Sequence, residues 1–330
     1  MQVHELTTTR RFRNASEPPP LRGTWVARPS PPTLYHRART AVLVLLLVVI
    51  TGCSTVQLEV RPPVMRGRHL EAAATVAQQQ LATKNCGDYG VPKLDQTQNF
   101  GKTAIVYREG YVLEHSATDK IALWVCEGFD RTQWEPTNPD RKNVFKPDQL
   151  LPKGSRAELA DYKGSKMDRG HMAPAGDFRD QEMKNDSFYL SNMAPQSPRL
   201  NQVFWRLLED TLRNWARSDS PINVYTGGFF YDPKEDDPAT ADGQVPYKRI
   251  GKSQVAVPTH FYKIVFGKDE NGAWRAVGFA VENRPYDKGE KFADTIKSIE
   301  WIEQRTGITF MPDLDDALQA QLKRSPGHMW

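Results

Sequence analysis

The sequence contains little cysteine, with only three residues among 330. Structural zinc usually takes four ligands, and three cysteines are too few to favour a fold that depends on structural zinc. The apolar run over residues 41–50 is ten residues long, whereas about 20 are needed to span a bilayer. No internal repeat is apparent, and carboxylates and histidines do not cluster as a two-metal phosphatase would require. Otherwise the composition, 39% hydrophobic and 25% charged, is ordinary for a soluble protein.

An excess of one charge sign is also missing from most of the chain. The formal net charge is +4, but residues 1–53 hold seven arginines, no lysine and two glutamates. Subtracting these from totals of 44 basic and 40 acidic residues leaves 37 and 38. Bulk charge therefore neither favours nor excludes a polyanionic partner, and any basic groove must be local.

The N-terminal part of the chain predicts export. The apolar run follows Arg37 and Arg39, as in a signal peptide. It ends in Ile50-Thr51-Gly52-Cys53, which resembles the bacterial lipobox. That resemblance implies cleavage before Cys53 and its diacylation, which would anchor the protein by lipid to a membrane, on the periplasmic side of the bacterial cell envelope. The alternative is an uncleaved N-terminal anchor with a chance cysteine.

These features divide the chain into four parts. We assign them as a disordered leader or misassigned start (1–40), a signal and lipobox segment (41–53), a tether (54–84) and one folded domain (85–330). With Cys53 assigned to lipid, Cys86 and Cys126 remain as an even pair. In an oxidising periplasm they are predicted to form a disulfide, worth roughly 3–4 kcal/mol in the chain-entropy model. Two separate buried thiols are the alternative.

Short strands and turns after Cys86 predict an α+β protein, mainly antiparallel sheet with flanking helices. Strands are predicted over 102–107, 111–115, 121–126, 188–190, 222–226, 255–266 and 273–281. Helices are predicted over 69–83, 200–216 and 294–306, with a long loop over 131–151. The central helix carries one apolar stripe, formed by Trp205, Leu208, Leu212 and Trp215, which predicts a buried face.

A histidine, an amide and a carboxylate are the residues with the clearest chemistry. His171 is a candidate general base, because imidazole titrates near pH 6.5 when unperturbed. Asn201 is a candidate Mg²⁺ ligand, since this ion prefers oxygen and keeps several waters; a helix N-cap is the alternative. Glu209 forms either a surface ion pair with Arg213 at i, i+4 or hydrogen bonds to metal-bound water. An ideal α-helix would separate Asn201 and Glu209 by about 12 Å along the axis and about 80° around it.

The segment around His171 resembles the DNA/RNA non-specific endonuclease family, which has the ββα-metal fold. The matching motifs are Asp168-Arg169-Gly170-His171-Met172-Ala173-Pro174, Tyr189-Leu190-Ser191-Asn192-Met193-Ala194-Pro195-Gln196, Leu200-Asn201-Gln202, Trp205, Leu208-Glu209, Arg141 with Phe145 and Asp148, and Val257-Pro258-Thr259-His260-Phe261-Tyr262-Lys263. The resemblance covers roughly residues 86–310 and is most specific over 168–209.

The resemblance implies roles for the catalytic and metal-binding residues. His171 activates the attacking water, and Glu209 orients metal waters. Asn201 binds Mg²⁺ directly, with Mn²⁺ as an alternative ion. Arg141 stabilises charge in the transition state; Arg131 and Arg156 are the alternatives at that position.

The resemblance also implies substrate contacts and a product. Arg169 contacts phosphate, and Arg213 supports Glu209. Hydrolysis of DNA and RNA would leave 5′-phosphate ends with little sequence preference, because phosphate contacts dominate. His115 and His260, in predicted strands, are interpreted as structural. A catalytically weak nucleic-acid-binding lipoprotein on the same scaffold is the alternative function, and the sequence is compatible with a homodimer.

Overall fold

The computed structural model describes residues 74–129, 140, 142, 144–218, 221–237, 239–240 and 245–329. Cys53 and Arg141 lie outside these residues, as do Arg131 and the segments predicted as leader, signal and most of the tether. Among the described residues, no helix combines the length and the hydropathy needed to cross a membrane.

Strands and short helices alternate along the described chain. The strands are β1 (Lys93–Leu94), β2 (Thr103–Tyr107), β3 (Val112–Ser116), β4 (Ala122–Phe129), β5 (Asp168–His171), β6 (Met193–Gln196), β7 (Ile222–Phe229), β8 (Lys248–Ile250), β9 (Val255–Val257), β10 (His260–Lys268), β11 (Trp274–Glu282), β12 (Ile296–Lys297) and β13 (Ile308–Thr309). The helices are α1 (Val76–Cys86), α2 (Leu159–Tyr162), α3 (Gln181–Asp186), α4 (Arg206–Ser218), α5 (Ile299–Thr306) and α6 (Asp316–Arg324).

A seven-stranded antiparallel sheet organises these elements, in the order β12-β11-β10-β7-β4-β3-β2. The pairs β1–β13, β5–β6 and β8–β9 form separate two-stranded sheets. Strand β7 is buried along its whole length, because helices and loops cover both faces of the sheet. This mixture of antiparallel sheet and flanking helices confirms the predicted α+β class.

The two faces of the central sheet bury different side chains. One face, here called the disulfide face, packs against α1, α5 and α6 and carries Trp124, Cys126, Tyr225, Ile264 and Phe266. The other face, here called the α4 face, packs against α4 and carries Val125, Glu127, Val224, Thr226, Lys263 and Val265. Successive strand residues point to opposite faces, so the sequence alternates between these two sets.

The disulfide Cys86–Cys126 joins the end of α1 to β4, with a Cα–Cα distance of 5.2 Å. It confirms the predicted pairing. Helix α1 begins after Thr75, whose side chain accepts a hydrogen bond from the Gln78 backbone while the Gln78 side chain accepts one from Thr75. This capping box explains why the helix predicted over 69–83 begins at Val76.

Several predicted boundaries were wrong, for identifiable reasons. The run 188–190 is not a strand: a 3₁₀ turn covers Leu190–Asn192, and buried apolar residues there do not require a sheet. The predicted strand 255–266 divides into β9 and β10 because Pro258 lacks a backbone N–H. The last predicted helix starts later, at Ile299, after Ser298 caps it.

Candidate active site

Strands β5 and β6 position His171, which is largely buried. His171 pairs with Met193, and Gly170 pairs with Ala194. A Cβ atom at Gly170 would overlap the side chain of Gln196, so this position needs glycine. The buried side chain of Gln196, which fills the space beside Gly170, therefore explains the glycine that precedes the histidine.

Hydrogen bonds from Asn192 fix the chain beyond His171. The Met172 amide donates to the Asn192 carbonyl at 2.9 Å, and the Ala173 amide donates to the Asn192 side-chain oxygen at 2.9 Å. The Asn192 amide in turn donates to the carbonyls of Ala173 and Ser187, both at 2.9 Å. Because Asn192 is fully buried, this network gives the histidine a defined backbone position.

The His171 ring lies in an aromatic pocket. It is 9% exposed and meets Phe188 edge-on, with ring centroids 5.1 Å apart. Phe145 lies at 6.0 Å and itself packs against Phe188. The apolar walls limit water around the imidazole while one side of the residue still lines the cleft.

A π-helical turn presents Asn201. Residues Leu200–Trp205 form this turn, and α4 continues directly from it. A π turn closes i→i+5 hydrogen bonds and takes more residues per revolution than an α turn, which changes the angle between Asn201 and Glu209. The continuous α-helix predicted over 200–216 was therefore wrong, and both side chains line one cleft.

Asn201 is not a helix N-cap. Its Nδ2 donates to the Asp168 carboxylate at 2.9 Å, and Gln202 Nε2 donates to the same oxygen at 2.8 Å. Asp168 belongs to β5, so these bonds connect the π turn to the strand that ends in His171. The structure thus adds Asp168 to the site, where the sequence indicated only a charge next to the histidine.

Glu209 lies about two helical turns beyond Asn201, among buried charges. Burial raises its pKa from the ordinary value to about 7. The positive charges of Lys263 and Arg213 oppose this rise, and the negative charges of Asp177 and Asp210 add to it. A carboxyl group with such a pKa changes its protonation state near neutrality.

Arg213 is bound by two carboxylates rather than forming a simple surface pair with Glu209. Its guanidinium contacts Asp177, from the turn after β5, and Asp210, from its own helix. Its side chain is 13% exposed. Paired in this way, Arg213 is held beside Glu209 as a fixed positive charge.

The segment 144–151 supports the site from the opposite side. The Arg169 guanidinium carbon lies 4.1 Å from the centroid of the Phe145 ring. Asp148, fully buried, accepts from Arg108 at 2.7 Å and from Ser191 at 2.6 Å. Arg156, the alternative to Arg141, donates to the backbone carbonyls of this segment and is 9% exposed. These contacts give Arg156 a structural role.

Five of the predicted residues meet in one cleft of about 800 Å³: His171, Asn201, Glu209, Arg169 and Arg213. The cleft also contains five charged or amide side chains that sequence reasoning did not place there: Lys163, Asp168, Gln202, Arg206 and Asp210. Four basic side chains line the cleft, namely Lys163, Arg169, Arg206 and Arg213, beside three acidic ones, namely Asp168, Glu209 and Asp210. The cleft therefore has a small local excess of basic groups, as a polyanionic substrate would require. Gln202 and Arg206 could have been predicted to lie near Asn201, because all three residues belong to the helix predicted over 200–216.

The donor set suits a single hard cation. In the described part of the chain, no three His, Cys, Asp or Glu side chains are grouped to hold a metal ion. The Asn201 amide donates its N–H to Asp168, which leaves the amide oxygen to serve as a ligand. Mg²⁺ accepts oxygen ligands and retains several waters, so it fits a site with few protein donors.

The histidines interpreted as structural lie away from this cleft. His115 is buried, with Nε2 at 3.1 Å from the Ser155 carbonyl oxygen, and burial lowers its pKa to about 4. His260 packs between the rings of Phe229 and Tyr231, and burial lowers its pKa as well. Both arrangements agree with structural roles.

A short antiparallel pair, a helix carrying an amide and a carboxylate, and a buried histidine define a metal-dependent nuclease of the ββα-metal fold. The chain belongs to the DNA/RNA non-specific endonuclease family, whose sequence profile matches residues 94–317.

Named relatives agree with this membership. The chain is 37% identical to mitochondrial endonuclease G of Homo sapiens over 229 residues, covering 68% of this chain and 73% of the relative. It is 34% identical to nuclease C1 of Cunninghamella echinulata var. echinulata over 214 residues, covering 63% and 82%. A chain in the crystal structure of the EndoG/EndoGI complex has a TM-score of 0.65 at 30% identity, covering 76% of this chain and 96% of that one.

Proposed function

We propose that this nuclease hydrolyses DNA and RNA with one Mg²⁺ ion and with His171 as general base, leaving 5′-phosphate ends. The observation that carries the proposal is the convergence of His171, Asn201 and Glu209 on one cleft. These residues come from a strand, a π turn and an α-helix, so their meeting is a property of the fold.

Asn201 would hold the ion through its side-chain oxygen. When bound, Mg²⁺ supplies positive charge that stabilises the charge developing on the phosphate and on the leaving oxygen. Mn²⁺, which takes the same kind of oxygen ligands, is the alternative ion. Asp168 orients the Asn201 amide by accepting its N–H, so the chain itself sets which atom is offered.

His171 takes the proton of the attacking water. The aromatic pocket of Phe145 and Phe188 holds the ring and limits its access to bulk water. Glu209, as a carboxylate, accepts hydrogen bonds from water in the cleft and keeps that water ordered. Arg213 keeps positive charge beside Glu209 through its own pairs with Asp177 and Asp210.

Arginines bind the phosphate backbone. Arg169 lies in the cleft with its guanidinium over Phe145, which limits its rotation. Arg141, outside the described residues, is proposed to stabilise the transition-state charge. Contacts to phosphate rather than to base edges predict little sequence preference.

The test is cleavage of plasmid DNA and of RNA by the purified full-length chain, with Mg²⁺, with Mn²⁺ or with EDTA. We expect metal-dependent cleavage, and we expect His171→Ala to lower the rate by about 10²–10⁴-fold. His328→Ala, at an exposed histidine, is the matched control and keeps the rate. Equal cleavage by His171→Ala, or none by the wild type, would contradict the mechanism; binding without cleavage would favour the weak binder.

We propose further that the protein is exported and held to a membrane by lipid on Cys53. The lipobox-like motif supports this, and a disulfide between Cys86 and Cys126 suits an oxidising compartment. Such a location, on the periplasmic side of a bacterial envelope, keeps a nuclease of low sequence preference away from the chromosome. Mass spectrometry of membrane-extracted protein tests the idea: an unmodified Cys53 still joined to residues 1–52 would refute it.

A further inference from the structure

The α4 face of the central sheet carries buried polar groups where apolar ones are expected. Lys263 is 1% exposed, Thr226 1% and Glu127 2%. Lys263 pairs with Thr226 across β10 and β7, and both point to the same side as Val224 and Val265. Lysine is almost never fully buried without partners, because its charge loses hydration. Specific contacts must therefore compensate for the hydration that the Lys263 ammonium group loses on burial.

Lys263 compensates by contacting the two segments that carry the site. Its Nζ donates to Thr226 Oγ1 at 2.9 Å and to the Met172 carbonyl at 3.4 Å. The same nitrogen lies 5.0 Å from the centroid of the Trp205 ring. Met172 directly follows His171, and Trp205 ends the π turn that begins next to Asn201. One cation therefore joins the segment of the proposed base, the segment of the proposed ligand and the sheet below them.

Carboxylates surround this cation from three further elements. Lys263 opposes the burial-driven rise in pKa of Glu127 on β4, of Asp177 in the turn after β5 and of Glu209 on α4. Neither oxygen of Glu127 has a hydrogen-bond partner, and burial raises its pKa well above the ordinary value. Lys263 is thus the positive charge shared by the three carboxyl groups of Glu127, Asp177 and Glu209.

We propose that Lys263 is a positioning residue, which holds the His171 and Asn201 segments in their relative places beneath the cleft; this inference rests on the proposed nuclease mechanism. Lys263 is not among the residues that line the cleft, so its effect would pass through the two segments that it contacts. Removing its ammonium group should loosen the spacing of the two segments. It also leaves Glu127, Asp177 and Glu209 without their shared positive charge, so the folded fraction of each variant is measured together with its activity.

The test compares Lys263→Met with Lys268→Met in the full-length protein. Lys268 is exposed at the end of the same strand, so both variants lose one positive charge from β10. We expect Lys263→Met to lower kcat on a short DNA duplex by about 10–100-fold with little change in KM, as when a group supporting a metal site is lost. Lys268→Met should keep both constants.

A second readout does not depend on activity. The imidazole ¹H–¹⁵N signals of His171, assigned with His171→Ala, are recorded in metal-free protein. We expect them to shift in Lys263→Met and to stay unchanged in Lys268→Met, because only Lys263 holds the Met172 carbonyl. Thr226→Val, nearly the same size, removes the hydroxyl that orients Lys263 and should produce smaller changes in the same direction.

Unchanged kcat and unchanged His171 signals in folded Lys263→Met would overturn the inference. The inference would also be overturned if the loss of activity in Lys263→Met were fully explained by its unfolded fraction, measured by thermal melting. If Lys263→Met does not fold, Thr226→Val decides by the same two readouts. A wild-type protein without metal-dependent cleavage would instead overturn the proposed function, and the imidazole signals would still decide the role of Lys263.

Discussion

The two faces of the central sheet serve different ends. The disulfide face is built from aromatic and aliphatic side chains, with Tyr225 stacked on Phe266 at 4.8 Å and a covalent link to α1. The α4 face contains Glu127, Thr226 and Lys263, which are as deeply buried as the aromatic residues of the disulfide face. Buried charge destabilises a core unless it is paired. On the disulfide face, buried Glu114 accepts a hydrogen bond from Trp124 Nε1 at 2.9 Å, whereas neither carboxyl oxygen of Glu127 on the α4 face has a hydrogen-bond partner. This difference indicates that function has displaced stability on the α4 face. Variants on each face should therefore affect different measurements.

The largest effect is expected on the disulfide face. Replacing both Cys86 and Cys126 by serine should lower the free energy of unfolding by roughly 3–4 kcal/mol, because the 40-residue loop is no longer closed in the unfolded state. The rate of cleavage per folded molecule should stay near that of the wild type. Chemical denaturation and a cleavage assay on the same samples measure both. A large fall in activity of the folded variant would show that the two faces are not separate.

On helix α4, which packs against the α4 face, Glu209→Gln should have the opposite pattern. We expect cleavage to fall about 10–100-fold, as when a group that orients a metal site is lost. Stability should rise at pH 8, because the raised pKa of Glu209 means that its ionised form is unfavourable in the folded protein. The favourable contribution of protonated Glu209 to the stability of the wild type is complete below the pKa that this group has in the unfolded chain. It is lost as pH rises through about 7.

Thermal melting of wild type and Glu209→Gln at pH 5 and pH 8 provides the measurement. The melting temperatures should agree more closely at pH 5 than at pH 8, where the variant should be higher by roughly 2–4 °C for each kcal/mol gained. Glu270→Gln, the same change at an exposed glutamate between β10 and β11, is the control for charge alone. A variant that is less stable at pH 8 would contradict the assignment of Glu209 to a site that sacrifices stability.

The pH dependence of cleavage should sharpen the contrast. Because Glu209 must be a carboxylate to accept hydrogen bonds, kcat should fall about tenfold for each pH unit below its pKa of about 7. His171 must also be neutral as a base, so protonation of either group acts in the same direction. Rate profiles of the wild type and of Glu209→Gln distinguish them, since the variant should lose one of the two acidic steps. An identical profile shape in both would exclude Glu209 as a titrating group.

The smallest expected effect is at Phe145. Phe145→Leu removes the ring beneath Arg169 while keeping an apolar side chain next to His171. A cation–π contact at a partly exposed site contributes about 0.5–1 kcal/mol, so KM for DNA should rise a few-fold with a smaller change in kcat. Steady-state kinetics at constant salt measure this. A large loss of kcat with unchanged KM would assign Phe145 to the histidine rather than to Arg169.

The sequence predicted the local parts of the site well. The predicted stripe is buried: Trp205, Leu208, Leu212 and Trp215 are 1%, 0%, 2% and 7% exposed. The sequence could predict it because helical periodicity is a short-range property. The family motif then connected His171, Asn201 and Glu209. Taken singly, Asn201 predicted a cap and Glu209 a surface pair, since local patterns contain no information about what lies opposite.

Tertiary structure decided the remainder. The π turn changes the helical phase of Asn201 without any proline or glycine to announce it, and Asp168 becomes its partner only because β5 lies alongside. Lys263 and Glu127 are polar residues in apolar strands, separated by more than a hundred positions in the chain. Residue types and periodicity determined the fold class and the paired cysteines, and the resemblance to the family identified the reactive groups. The distances among those groups, and the buried charge that holds them, depend on long-range packing, which no local pattern encodes.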